Sequence, residues 1–169
     1  MERKITSDLL IERFSLKRHP EGGWFRQTYQ SVEKIPVNGL PARFKAARPI
    51  STAIYYLLAS GDYSAFHRIK SDEVWHFYTG GALLIHVLHT SGDMETVILG
   101  SDFLKGELFQ FVVPAGCWFA AELALGTSFS FVGCTVAPGF DFEDFELGKK
   151  NDLLNLFPKH TKIIERLCK

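Results

Sequence analysis

Two side chains able to exchange protons stand close together in this chain, His67 and Glu73, inside the glycine-bounded segment GDYSAFHRIKSDEVWHFYTG that runs from Gly61 to Gly80. An imidazole beside a carboxylate has two chemical uses. The carboxylate can fix the ring tautomer and raise its basicity, so that His67 removes a proton next to a carbonyl, as general bases do in isomerases and epimerases. The same groups can ligate a divalent ion, although stable zinc or iron sites take three or more protein ligands. His76 is the candidate third ligand. It lies three residues beyond Glu73, so strand alternation sets the two on opposite faces unless a bulge intervenes. The plain alternative is a core histidine satisfied by Glu73 or by backbone.

These groups need strands to position them. Alternation places Ala65, His67 and Ile69 on one face of a strand, and Glu73, Trp75 and Phe77 on one face of the next. In the earlier run WFRQTY it groups Trp24, Arg26 and Thr28. Arg26 is then a candidate clamp for a carboxylate or phosphate, because guanidinium offers planar, bidentate donors. Tyr56, Trp118 and Glu122 are further candidates for the rim, Trp118 by stacking on a sugar or base ring. From Trp24 to Val136 the chain consists of short β-branched and aromatic runs broken by glycine turns, which predicts an antiparallel sandwich or barrel, best a double-sheet jelly roll.

Before these runs, Thr6 or Ser7 can cap a short helix over about residues 7–15. After Pro138 comes the acidic and aromatic stretch Gly139 to Phe145, whose carboxylates Asp141, Glu143, Asp144 and Glu146 are expected to face water along a half-buried edge. Two helical stretches follow, about 149–157 and 159–167, separated by Pro158. The organisation expected is one domain over 1–169 with a barrel core at about 22–140. The loop from Glu33 to Pro49 is read as a surface loop or a lid over the barrel mouth.

Composition narrows the function classes. Lysine plus arginine and aspartate plus glutamate number 19 each, so no net field gathers nucleic acid or an anionic membrane. No apolar run approaches the roughly 20 residues of a membrane helix, and the start of the chain lacks a secretory core, so a cytoplasmic location is the default. Three cysteines at 117, 134 and 168 match no zinc or redox spacing and read as reduced thiols. The chain has no nucleophile elbow, phosphate-cradling loop or dinucleotide fingerprint, which leaves hydrolase, nucleotidase and dehydrogenase readings unsupported.

The blocks HPEGGWFRQTY, STAIYYLL, FHRIKSDEVWHFYTG, VPAGCWFA and FVGCTVAPGFDFEDFEL together resemble a small bacterial and fungal cupin family of unknown function, within the superfamily of deoxysugar-epimerase-like (RmlC-like) cupins. The resemblance implies a double-stranded β-helix barrel with short N-terminal and C-terminal helices, commonly a homodimer. It also implies where a cupin metal site would sit. The first signature matches at His67 and Glu73 but has Ile69 in place of its second histidine. The second follows the Pro114-Ala115-Gly116 turn and has Phe119 in place of its histidine. Two of four ligands are thus lost, and the expectation is no tightly bound metal, a weak divalent ion at His67, Glu73 and His76 being the alternative.

The functional expectation is a barrel that binds a small polar metabolite, a sugar or nucleotide derivative, and acts as an epimerase-like or isomerase-like enzyme. His67 would be its base, Glu73 its orienting or acidic partner, and Arg26, Thr28, Tyr56, His76, Phe77, Trp118 and Glu122 its ligand-binding groups. A metal-dependent cupin enzyme and a non-catalytic binding protein are the two rivals.

Overall fold

The computed structural model describes residues 5–169, so residues 1–4 of the expected domain lie outside it. The first element is helix α1 (Ser7–Phe14), capped by the Thr6 hydroxyl, which accepts from the Leu9 N–H at 3.3 Å. It ends where Ser15 takes a left-handed conformation and the Ser15 and Leu16 N–H groups turn back onto the last carbonyls. Thirteen strands follow: β1 (Lys17–Arg18), β2 (Trp24–Gln30), β3 (Lys34–Ile35), β4 (Arg48–Pro49), β5 (Thr52–Ala59), β6 (Tyr63–Arg68), β7 (Asp72–Gly80), β8 (Leu83–Leu88), β9 (Met94–Leu99), β10 (Gln110–Val113), β11 (Trp118–Leu123), β12 (Phe129–Ala137) and β13 (Glu146–Leu147). Helices α2 (Lys150–Leu156) and α3 (Thr161–Leu167) close the chain.

The strands form two principal antiparallel sheets, in the orders β1-β2-β5-β12-β7-β10 and β13-β6-β11-β8-β9. Consecutive strands β6 and β7 lie in different sheets, as do β7 and β8. This switching between layers is what makes the fold a jelly roll, and the two sheets stay separate ladders instead of fusing into one closed barrel.

Inward side chains of both sheets make the central core, with Tyr56, Leu58, Trp75, Ile85, Phe119 and Val132 among its members. The outer face of the five-stranded sheet is also buried. Phe66, Leu88, Trp118 and Ala120 pack there against Leu153 of α2 and Ile163, Ile164 and Leu167 of α3. Leu10 of α1 covers Leu57 and Phe131 on the outer face of the six-stranded sheet. Much of β5, β6, β11 and β12 is therefore apolar on both faces, which explains their nearly continuous hydrophobic runs.

The Glu33–Pro49 loop is strapped down. Strands β3 and β4 pair, Phe44 is buried, and the Arg43 Nε donates to the Lys70 carbonyl at 2.6 Å. The segment 139–146 behaves differently from expectation in one respect. Asp144 faces inward, buried against the equally buried Arg48, whose guanidinium donates to it twice, Nε–Oδ2 at 2.6 Å and Nη2–Oδ1 at 2.9 Å. Glu143 and Lys70 complete the cluster. No helix among the described residues is long and apolar enough to cross a membrane.

Candidate functional site

A cavity of about 70 Å³ opens at one end of the core, large enough for on the order of five ordered waters. Strands β2, β5, β6, β7 and β12 wall it, the His19–Gly23 turn contributes His19 and Glu21, and the segment after β12 covers it with Phe140, Phe142 and Phe145.

Glu21 is the hub of this site. Its Oε2 lies 3.1 Å from Nε2 of His67 and 3.4 Å from Nδ1 of His19, and its Oε1 accepts from the Ser64 hydroxyl at 2.8 Å. Glu21, His67 and Ser64 are all buried. The turn that carries Glu21 runs tight against β5 and β6. Gly22 and Gly23 both have positive φ, and a Cβ at Gly22 would run into the Tyr63 carbonyl oxygen. The Tyr56 hydroxyl pins the same turn by donating to the Gly22 carbonyl at 2.8 Å.

The hydrogen bonds of His67 set its proton inventory. Nδ1 faces the Ala65 carbonyl at 2.8 Å, and a carbonyl only accepts, so Nδ1 carries a hydrogen. Nε2 lies 3.1 Å from Glu21 Oε2, within ion-pair range, so a protonated ring there is charge-paired with the carboxylate. The ring also packs on Phe119, with centroids 4.1 Å apart, and on Phe145 at 5.4 Å.

Glu73 lines the same cavity from β7. Burial pushes its carboxyl up to about 8, with the charge of Glu21 adding to the rise, and the Cys134 and Trp75 side chains beside it offset only part. The Trp75 N–H is buried there without completing a hydrogen bond. At neutral pH Glu73 is predominantly a neutral acid. His19 sits among the rings of Phe25, Tyr56, Phe142 and Phe145. Burial pushes its imidazole down, opposed by the charge of Glu21.

Of the residues singled out from sequence, His67, Glu73 and Tyr56 meet in the cavity. The carboxylate beside His67 Nε2 is that of Glu21, on the His19–Gly23 turn. Arg26 lies on the outer face of β2 and donates to the Phe14 carbonyl, because Phe25 and Gln27 take the inward positions. Thr28 is exposed and bonded to the Ala53 carbonyl beside a bulge in the β2–β5 register. His76 also faces outward, held between Thr135 Oγ1 and the Gln110 amide. Phe77 packs against the central core but not on the cavity. Trp118 lies beneath the C-terminal helices with the Arg68 guanidinium over its ring. Glu122 bonds His86 and Arg166 outside the barrel. Glu21, His19, Ser64 and the covering phenylalanines were not singled out. A signal for the first two was present in His19-Pro20-Glu21-Gly22-Gly23, two proton-active side chains in a double-glycine turn.

A jelly roll whose end cavity gathers strand-borne histidine and glutamate is a cupin. The chain belongs to the family described as Cupin superfamily (DUF985), whose model matches residues 8–148. The uncharacterized protein YML079W of Saccharomyces cerevisiae is 34% identical over 155 residues, covering 86% of this chain and 76% of the yeast protein. Among solved structures, protein SO0799 from Shewanella oneidensis is 37% identical with a TM-score of 0.88, covering 98% of this chain and 99% of that one. A hypothetical protein from Leishmania major is 30% identical, also at 0.88, covering 97% and 99%. Oxalate decarboxylase from Bacillus subtilis shares the fold alone, at 15% identity and a TM-score of 0.53, with this chain spanning 36% of it.

Some cupins hold a metal; Mn(II) centres are described in Bacillus subtilis oxalate decarboxylase. Two of the positions that carry ligands in the cupin signatures cannot supply one here. Ile69 and Phe119, which stand where the signatures have histidines, offer hydrocarbon to the site, and Nε2 of His67 is aimed at Glu21. Turned outward, His76 adds no ligand. Among the described residues no group of three or more His, Cys, Asp or Glu side chains is disposed to hold a metal ion.

Proposed function

We propose that this protein binds a small polar metabolite in the jelly-roll cavity and catalyses proton transfer at a carbon next to a carbonyl, as an isomerase or epimerase does. The observation that carries the reading is the meeting of unlike acids in one cavity: Glu21 with His67 Nε2 3.1 Å from its carboxylate, and Glu73, whose carboxyl burial pushes up to about 8. Titratable groups driven apart by their surroundings divide into acid and base. In the proposed step, on an α-hydroxy carbonyl compound, the C–H proton passes to His67 Nε2 or to the Glu21 carboxylate beside it while Glu73 gives its proton to the carbonyl oxygen, producing an enediol. Return of a proton to the former carbonyl carbon, with the other enediol hydroxyl giving its proton to the Glu73 carboxylate, isomerises the compound; return to the opposite face of the original carbon, with the first hydroxyl giving its proton back to Glu73, epimerises it.

The test is incubation of the protein in D2O with dihydroxyacetone, erythrulose, ribose and ribulose, followed by proton NMR. Deuterium entering the position next to the carbonyl, and lost in Glu21→Gln, supports the proposal. A second reading, a non-catalytic binding protein, is favoured by one observation: both ring nitrogens of His67 are already engaged. Binding of these compounds without any exchange would establish it instead.

A further inference from the structure

We infer that the cavity selects a small, unphosphorylated hydroxy-carbonyl compound, a free short-chain sugar, over its phosphorylated counterpart. The inference rests on the acid–base reading above and adds the class of substrate.

Among the described residues the charge-bearing groups on the cavity wall are Glu21, Glu73 and the imidazoles of His19 and His67, and no lysine or arginine lines it. The cations around it are committed elsewhere. Arg26 is bonded to the Phe14 carbonyl, Arg48 is gripped by Asp144 and Glu143, Lys70 is paired with Asp144, and Lys169 donates to the Pro20 carbonyl. A phosphate dianion in the cavity would meet the carboxyl groups of Glu21 and Glu73 with only the two imidazoles, already set against Glu21, to oppose its charge, and a poorly paired buried charge is strongly disfavoured.

Hydroxyl groups find what a phosphate lacks. A carboxylate accepts from hydroxyls, a protonated carboxyl both donates and accepts, and the Gln27 amide at the wall does the same. Phe25, Phe140, Phe142 and Phe145 supply rings against which the C–H face of such a compound can pack. Aromatic rings with carboxylates also suit an ammonium ion. Here, however, the imidazoles of His67 and His19 already stand against the Glu21 carboxylate, and burial favours the neutral form of Glu73, so a cation meets less negative charge than the number of carboxyl groups suggests. The small cavity limits the length of the compound.

The test compares binding to the unmodified protein by calorimetry and saturation-transfer NMR, at pH 7, of dihydroxyacetone, erythrose and ribose with dihydroxyacetone phosphate, erythrose 4-phosphate and ribose 5-phosphate. The expected result is that at least one free compound binds and its phosphate binds at least about tenfold more weakly. In Phe142→Arg, which places a cation at the half-exposed rim, the preference should narrow or reverse. Phosphates that bind as tightly as the free compounds, or binding only of a quaternary ammonium probe such as tetramethylammonium, or no binding of any free compound, overturns the inference. Failure of the acid–base reading looks different. Free compounds that bind without deuterium exchange sink the chemistry and leave the ligand class standing, whereas Glu21-dependent exchange into a phosphate sinks the ligand class alone.

Discussion

His67 Nε2 stands 3.1 Å from Glu21 Oε2 while its Nδ1 donates to the Ala65 carbonyl at 2.8 Å, so the ring is held from both sides. The backbone carbonyl fixes the tautomer, and the carboxylate stands beside Nε2. This arrangement joins a turn residue to a strand residue of the five-stranded sheet. The site therefore depends on how the His19–Gly23 turn docks under β5 and β6.

If the pair works as one base, removing either member removes the base. Glu21→Gln or His67→Asn should each lower deuterium exchange by on the order of a hundredfold or more. The double variant should be no worse than the worse single, because groups that act as a unit are not additive. Arg26→Ala and His76→Ala, both on outer faces, should leave the rate within about twofold. Rates for the five variants by NMR decide the matter; additive losses at Glu21 and His67 would mean that the two act separately.

Glu73 gives stability a pH slope of definite sign. Its folded value of about 8 lies above the ordinary 4.5, so between those values the unfolded chain has released a proton that the folded protein keeps. The stabilisation is whole below about pH 4.5 and declines as pH rises towards 8, by at most about 1.4 kcal/mol per pH unit for one proton. Glu73→Gln should remove most of this decline and be the more stable protein at pH 8. Urea unfolding at several pH values between 5 and 8.5 measures it, and parallel slopes for the two proteins would contradict the buried neutral acid.

Metal analysis follows from the chemistry of the ligand positions. With Ile69 and Phe119 on the site and His76 turned away, the protein purified without a histidine tag should retain well under one equivalent of zinc, manganese, iron, nickel or cobalt after loading and desalting. Chelators should then leave any exchange activity intact. One equivalent of a single ion, abolished by His67→Ala, would reverse the conclusion drawn from the side chains.

The jelly roll and its terminal helices were legible because short β-branched runs and glycine turns recur at regular spacing, and because five sequence blocks fall in family order. His67 and Glu73 were legible as strand residues at signature positions. Arg26 shows the limit of alternation. Trp24, Arg26 and Phe25, Gln27 were separable into two faces, yet nothing in the period says which face points inward. For Trp118 even that separation fails, since α2 and α3 bury the outer face of β11 and leave it apolar on both sides. Glu21 was hidden for another reason. A turn has no period, and its contact with Ser64 spans 43 positions that only the tertiary fold closes.

The last prediction concerns the cover of the cavity. Phe140, Phe142 and Phe145 are anchored by Asp144, whose buried carboxylate accepts two bonds from Arg48. Burial alone would raise the Asp144 carboxyl, but Arg48 and Lys70 hold it below the usual carboxylate range. Its stabilisation is therefore present above the unfolded value and lost as pH falls through the folded one. Arg48→Met leaves Asp144 buried with Lys70 as its remaining partner and should cost on the order of 3 kcal/mol; Arg48→Met with Asp144→Leu should recover much of that loss, since paired removal leaves no orphaned charge. Hydrogen exchange should quicken across residues 139–146 in the single variant before the rest of the sheet responds. Unfolding free energies with site-resolved exchange test both parts. Uniform loss of protection across both sheets would mean that the ion pair supports the whole fold and not the cover of the cavity.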